Sequence, residues 1–274
     1  MGAAPPPGRL TIDPDATYVS TYGKQKEGST FSYQGEIQMS PLVAVVGETG
    51  DVRAIRARGG NASPRKKLAT FCDQCVAAIP NEARDRYELW VRTDSAVFSK
   101  AAVDKAISHG ATFTITAEQN PRLRRAIETL ALDTAWVPAE RADGELSGAE
   151  VAETSYRFAT ADLRLIVRRQ AKAAGEQLSF DDLGGRRFFA FITNAGPEHS
   201  TASLDLHHRQ RGGASEEAIR QLKEDFGMNH APVRNFTGNW VWCWPPHWPT
   251  PLDAGFGSSP CPRPSRPAGA SACG

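Results

Sequence analysis

The sequence predicts an α/β fold: a mixed sheet with flanking helices. Three observations carry this. An apolar run at residues 89–93 stops on Asp94 and passes directly into a segment with helical spacing, residues 101–107. A second apolar run, residues 41–46, turns back through Glu48-Thr49-Gly50-Asp51 into residues 52–57, which reads as a hairpin. Strand-like and helix-like segments then alternate: a helix from Ser63-Pro64 to about Ile79, the strand ending at Asp94 with its helix, a strand over 111–117, and a helix over 121–130.

Composition narrows the function. The chain has 274 residues and a net charge of +1, so no global field draws it onto nucleic acid. Its basic residues gather locally at 53–67, 122–125 and 164–169, patterns that by themselves read as solvated faces. No apolar stretch is long enough to span a bilayer, and the N-terminus lacks the order of a secretory signal. The expectation is a cytoplasmic protein with reduced thiols and no membrane partner. Of the five cysteines, Cys72 and Cys75 form a C-x-x-C inside a helical pattern, residues 68–79. A zinc site needs a second ligand pair, and a redox motif needs a helix N-terminus, so these two read as ordinary thiols.

Taken in order, residues 1–8 are Gly, Ala and Pro after Met1 and read as disordered. Residues 9–19 read as a strand, with Pro14 expected at a bulge or an edge. Asp13 and Asp15 on that strand are expensive to bury unpartnered, which leaves a turn, or a metal ion neutralising one of them. Residues 22–28 form a polar turn. Ser95 and Ser99 are candidate helix caps. Three antiparallel strands, a helix, then alternating strands and helices is the layout of a ribonuclease H-like domain, an analogy of order alone. The core therefore divides as 9–135 and 195–242, separated by a mostly-β insertion at 136–194. The insertion has β-like runs at 150–158, 162–169 and 187–194, a loop at 175–183, and at least one strand, 188–193, returning to the main sheet. In the last part His207 and His208 read as a strand-to-helix loop. Ser215 reads as the N-cap of an amphipathic helix with Ala218, Ile219 and Leu222 on its apolar face. Glu216 and Glu217 would occupy its first turn, where negative charge suits the helix dipole. Glu216, Arg220 and Lys223 would share or border one face. Asp94 has two readings: a helix cap, or an acid at the C-terminal end of a strand, where α/β sheets bind their ligands.

Several segments together carry a family resemblance. They are Asp13-Pro14-Asp15-Ala16-Thr17 with residues 22–28, Arg58-Gly59-Gly60-Asn61-Ala62, residues 92–98, residues 216–227, and Phe236-Thr237-Gly238-Asn239-Trp240. In this order they resemble the catalytic domain of bacterial insertion-sequence transposases of the DDE type, over roughly residues 9–242. The resemblance implies DNA strand cleavage and strand transfer with two Mg²⁺ ions. Asp15, Asp94 and Glu216 match the three metal-holding acids. Hard carboxylate oxygens, few from protein and the rest from water and phosphate, suit that ion. Arg209 or Arg211 and Lys223 would contact the DNA backbone, positioning transposon ends without reading sequence. The resemblance also implies a homo-oligomer, or association with an intact transposase.

Three departures from the family pattern set further expectations. The spacing from Arg211 to Glu216 is one residue longer, which makes Glu217 a rival third acid. Twelve residues precede Asp13, so a region that recognises transposon ends is expected to be missing. After Trp242, where the family continues as an apolar helix, Pro245, Pro246, Pro249 and Pro251 forbid one, and residues 243–274 read as a frameshifted tail. The expectation is a truncated, defective transposase domain. The alternative is a non-catalytic DNA-binding or interaction fragment that interferes with intact transposase. A hydrolase built on His207 or His208 and a serine lacks the G-x-S-x-G elbow.

Overall fold

A computed structural model describes residues 8–21, 25–31, 35–63, 65–132, 136–158, 160–172 and 185–243. Disorder was expected at residues 1–8; Gly8 instead opens a strand, while residues 1–7, the loop at 175–183 and the tail beyond Cys243 lie outside the described residues.

Strand β1 (Gly8–Ala16) is central because both of its faces are apolar or paired: Leu10 and Ile12 on one side, Thr11 and Asp13 on the other, all buried. Two short strands follow, β2 (Val19–Ser20) and β3 (Thr30–Phe31), and pair around β4 (Ile37–Met39) as a small separate sheet. The hairpin read from the sequence is β5 (Leu42–Val46) and β6 (Val52–Arg56). Helices α1 (Leu68–Ala77) and α2 (Asn81–Arg86) lead into β7 (Tyr87–Thr93). A 3-10 turn at Ser95–Val97, α3 (Lys100–Ser108), β8 (Thr112–Thr116) and α4 (Pro121–Ala131) come next. Then come β9 (Val137–Glu140), β10 (Leu146–Phe158), β11 (Ala161–Ala171) and β12 (Arg186–Thr193). The described chain ends with α5 (Thr201–Arg209), α6 (Arg211–Glu224) and α7 (Phe236–Cys243).

The nine-stranded sheet has the order β6-β5-β1-β7-β8-β12-β11-β10-β9. β5 and β6 run antiparallel to their neighbours, while β1, β7 and β8 are mutually parallel. This is the ribonuclease H-like arrangement expected from the element order. Pro14 is tolerated because it falls beyond Ile12↔Val91, the last β1–β7 pair, where no ladder donor is required of it. The β-rich stretch continues the same sheet: β12 pairs antiparallel with β8 through Ile192↔Ile115.

Helices cover both faces. On one, α1, α3 and α4 bury Phe71, Val103 and Leu123 against Leu10, Ile12, Val91 and Ile115. On the other, α6 packs Ala218 and Leu222 on Val43 and Val45, and α5 packs Leu204 near Trp90 and Phe191.

Several boundaries differ from the sequence reading. Helix α1 starts at Leu68, after Lys67 in the left-handed region at φ 63°, and not at Ser63-Pro64. Helix α5 was unforeseen; it places His207 and His208 in its last turn, not in a loop. Because α6 begins at Arg211, directly after α5, Ser215 is an interior helical residue and not an N-cap, and Glu216 and Glu217 lie in the second turn. Ser99 does cap α3, accepting from Ala102 N at 3.3 Å. Ser99→Ala is expected to lower stability by about 0.5–2 kcal/mol in urea denaturation. An unchanged midpoint would mean that α3 starts elsewhere.

Candidate active site

The parallel pairing of β1 with β7 decides where two of the predicted acids stand. Its register pairs Ile12 with Val91. Three residues further along each strand come Asp15 and Asp94, at adjacent C-terminal strand ends. Asp15 feels the Asp94 charge. The Asp15 carboxyl is raised above its ordinary value, chiefly by burial and additionally by the Asp94 carboxylate; Arg211 and the Ala16 backbone amide oppose the rise. Asp94 takes the first of its two readings, the cap, and stands at the strand end that the second requires. Its Oδ1 accepts from Ala96 N at 2.9 Å, capping the 3-10 turn, while the residue remains part-exposed beside Asp15.

Beneath this pair lies a buried polar network. Asp13 shares the face of Asp15, two residues earlier, and Arg92 shares the face of Asp94, also two residues earlier. Arg92 grips Asp13 bidentately, Nε to Oδ1 at 2.8 Å and Nη2 to Oδ2 at 2.6 Å, with both side chains 1–2% exposed. Ser215 Oγ donates to the same Asp13 oxygen at 2.8 Å. Arg92 Nη1 donates to the His207 carbonyl, at the junction of α5 with α6. The strand acid that the sequence left needing a metal or a turn is therefore neutralised by an arginine. Gly47 fits around this pair because it lacks a side chain: a Cβ there would stand 2.7 Å from Arg92 Nη2.

The remaining predicted residues separate. Arg211 Nη1 lies 3.1 Å from Asp15 Oδ2, so this cation sits on the acid itself. Arg209 reaches Asp205 on its own helix at 3.9 Å. Lys223 is half-buried, and that burial lowers its pKa. Glu216 is exposed on α6, one residue past Ser215. Glu217 is held by Arg220 at 2.7 Å and by Gln221, which push its pKa down to about 2. Among the described residues no three acids, histidines or cysteines stand close enough to hold a metal ion. The structure thus joins Asp15 to Asp94 and leaves the Glu216 carboxylate outside that pair. Two hard carboxylates at one edge still suit a divalent cation that takes its other ligands from water and phosphate.

Sequence reasoning missed several residues around this edge. Arg65 donates to both oxygens of Glu118, at 2.9 and 2.6 Å, just past β8 and close enough to Asp94 to feel its charge. Arg92 could have been found: an arginine directly after the apolar run Leu89–Val91, inside the same strand, implies a buried partner. Cys72 and Cys75 are buried and free, and burial pushes the Cys75 thiol up to about 12, as expected of inert thiols. No helix is long and apolar enough to cross a membrane among the described residues.

His207 gives this region an acid sensitivity. Its Nδ1 lies 3.0 Å from Arg9 Nη1, and since a guanidinium only donates, Nδ1 accepts and the imidazole is neutral. Burial first, then Arg92 and Arg9, depress its pKa to about 2. The unfolded chain binds this proton near pH 6.5 and the folded chain resists it, so the stabilisation is full above pH 6.5 and is lost as pH falls. Stability should drop by about 1.4 kcal/mol per pH unit below 6.5 from this group. Urea midpoints for wild type and His207→Gln between pH 7 and 5 measure it; equal slopes would remove the assignment.

The sequence model of a family described as "Transposase DDE domain group 1" matches residues 3–245. No curated protein matches. A solved structure of the piggyBac transposase, in a synaptic complex with hairpin DNA, is similar at TM-score 0.46 and 11% identity over 85% of this chain. The chain spans 43% of that protein's length.

Proposed function

From a chain that belongs to the transposase DDE domain group 1 family, we propose a DNA strand-cleaving and strand-joining domain that works with divalent cations. Its metal-holding acids are Asp15, Asp94 and Glu216. The observation that carries this is the placement of Asp15 and Asp94 at adjacent ends of parallel strands, where burial first, and the Asp94 charge in addition, raise the Asp15 pKa. Such a pair holds a cation more readily than it holds two bare carboxylates. Asp15, Asp94 and Glu216 would hold Mg²⁺, as two ions, whose chemistry would be to activate the attacking hydroxyl and stabilise the leaving oxygen of an in-line displacement. The chain's own residues do the rest. Asp15 and Asp94 fix the site to the sheet edge. Arg211 neutralises Asp15 and is placed to exchange that carboxylate for a DNA phosphate. Arg209 and Lys223 extend the basic edge along the backbone. Glu216 completes the site by a shift of its side chain on α6, and Glu217, committed to Arg220, does not.

A second reading has its own support. Arg211 on Asp15 and the outlying Glu216 describe a chain that binds DNA without cutting it, as a defective remnant able to join an intact transposase would. One assay divides the two. Supercoiled DNA is incubated with the protein and Mg²⁺ or Mn²⁺, with and without a chelator. Nicking that needs the cation carries the first reading. Retarded DNA without nicking, unchanged by Asp94→Ala, carries the second.

A further inference from the structure

We propose that the buried Asp13–Arg92–Ser215 network is the positioning device of this site, and that Ser215 sets where α6 presents Glu216 to Asp15 and Asp94. The proposal rests on the reading of these three acids as cation ligands.

The network touches each acid-bearing element next to its acid. Asp13 precedes Asp15 by two residues on β1, Arg92 precedes Asp94 by two on β7, and Ser215 precedes Glu216 by one on α6. Three segments far apart in sequence, carrying three acids, are therefore tied to one another by one hydrogen-bonded cluster that is closed to water.

The spacing makes this tie a register. Helix α6 is bound to β1 at two points: Arg211 to Asp15 at 3.1 Å and Ser215 to Asp13 at 2.8 Å. Four helical residues rise about 6 Å, and two strand residues span about 6.6 Å. One turn of helix therefore lies along one two-residue step of strand, running the opposite way. Two contacts at matched spacing fix both the height and the roll of α6, and with them the backbone point from which the Glu216 side chain, exposed and outside the Asp15–Asp94 pair, turns toward it.

The two points are not equivalent. Arg211 holds Asp15, a proposed cation ligand, so an incoming cation competes with that guanidinium. Ser215 holds Asp13, whose charge is already satisfied by Arg92. Ser215 is thus the polar tie that persists when a cation occupies Asp15, with Ala218 and Leu222 supplying the apolar seat. Its hydroxyl donates to a carboxylate and is 1% exposed, a stronger and less adjustable contact than a neutral hydroxyl pair.

The test measures Mn²⁺ affinity of the full chain by calorimetry, which needs no catalysis. Ser215→Ala favours helix and leaves the Asp13–Arg92 pair in place, so the protein stays folded. The affinity is expected to fall about tenfold or more. Ser215→Thr, which keeps the hydroxyl, is expected to recover most of it. The decisive comparison is the same substitution in a Glu216→Gln background. There Ser215→Ala should change affinity by less than about threefold, because the group it positions is already gone. Equal losses in both backgrounds, or a threonine variant as weak as alanine, would overturn the positioning role while leaving the cation site standing. Mn²⁺ binding that is insensitive to Asp94→Asn, or absent from the wild type, would overturn the functional reading and this proposal with it.

Discussion

Asp13→Ala lowers the free energy of unfolding by about 3–5 kcal/mol, because it strands the Arg92 guanidinium inside the protein. The magnitude follows from burial. Both side chains are 1–2% exposed, and Asp13 accepts all of its side-chain bonds from groups that have no access to water. Packing leaves Arg92 little escape: Gly47 lies so close that even a Cβ there would stand 2.7 Å from Nη2. Set against a typical total of about 5–15 kcal/mol, such a loss is a large share of the fold's stability. Replacing both partners together, Asp13→Leu with Arg92→Met, should lose less than Asp13→Ala alone, since no unpaired charge then remains. Urea denaturation of the three proteins measures this. An Asp13→Ala variant within 1 kcal/mol of wild type would mean that water reaches Arg92.

The core sheet and the two strand acids were legible in the sequence, and the reason is local. The run ending at Asp94 and the hairpin around Glu48-Thr49-Gly50-Asp51 carry their own periodicity and turn chemistry, and both stand where they were expected. The return of residues 188–193 to the main sheet was also legible, as β12 against β8. What failed was long-range. Ser215 has the composition of an N-cap, but the chain arrives at it already helical from Arg211, and its hydroxyl turns to an aspartate 202 residues away. His207 and His208 look like loop residues in a polar run. Yet α5 buries them against Trp90 and Phe191, at ring-centroid distances of 4.7 and 4.3 Å. Helix α1 starts late because Lys67 occupies a left-handed conformation that no pattern announces. Glu216, the proposed third acid, shows the same division: its helix could be read, and its direction on the helix depended on a register that only packing supplies.

Asp94→Asn is expected to reduce cation-dependent DNA cleavage roughly a thousandfold, several kcal/mol of lost transition-state stabilisation at about 1.4 kcal/mol per tenfold. This substitution separates the observed cap from the proposed cation ligand. As a cap, Asp94 accepts a single hydrogen bond from Ala96 N, and asparagine is as good an acceptor there. As the proposed cation ligand it would contribute a negative charge beside Asp15, and asparagine would contribute none. The variant should therefore unfold within about 0.5 kcal/mol of wild type, as expected where no buried contact is broken. Asp94→Ala, in contrast, loses the cap as well as the charge and should be measurably less stable. The neighbouring acid gives an independent sign. With the Asp94 charge gone, one of the influences that raise the Asp15 pKa disappears, so the Asp15 carboxyl should titrate lower by NMR. If Asp94→Asn cleaves DNA at the wild-type rate while Asp94→Ala is destabilised, Asp94 is a helix cap alone and the acids that hold the cation lie elsewhere.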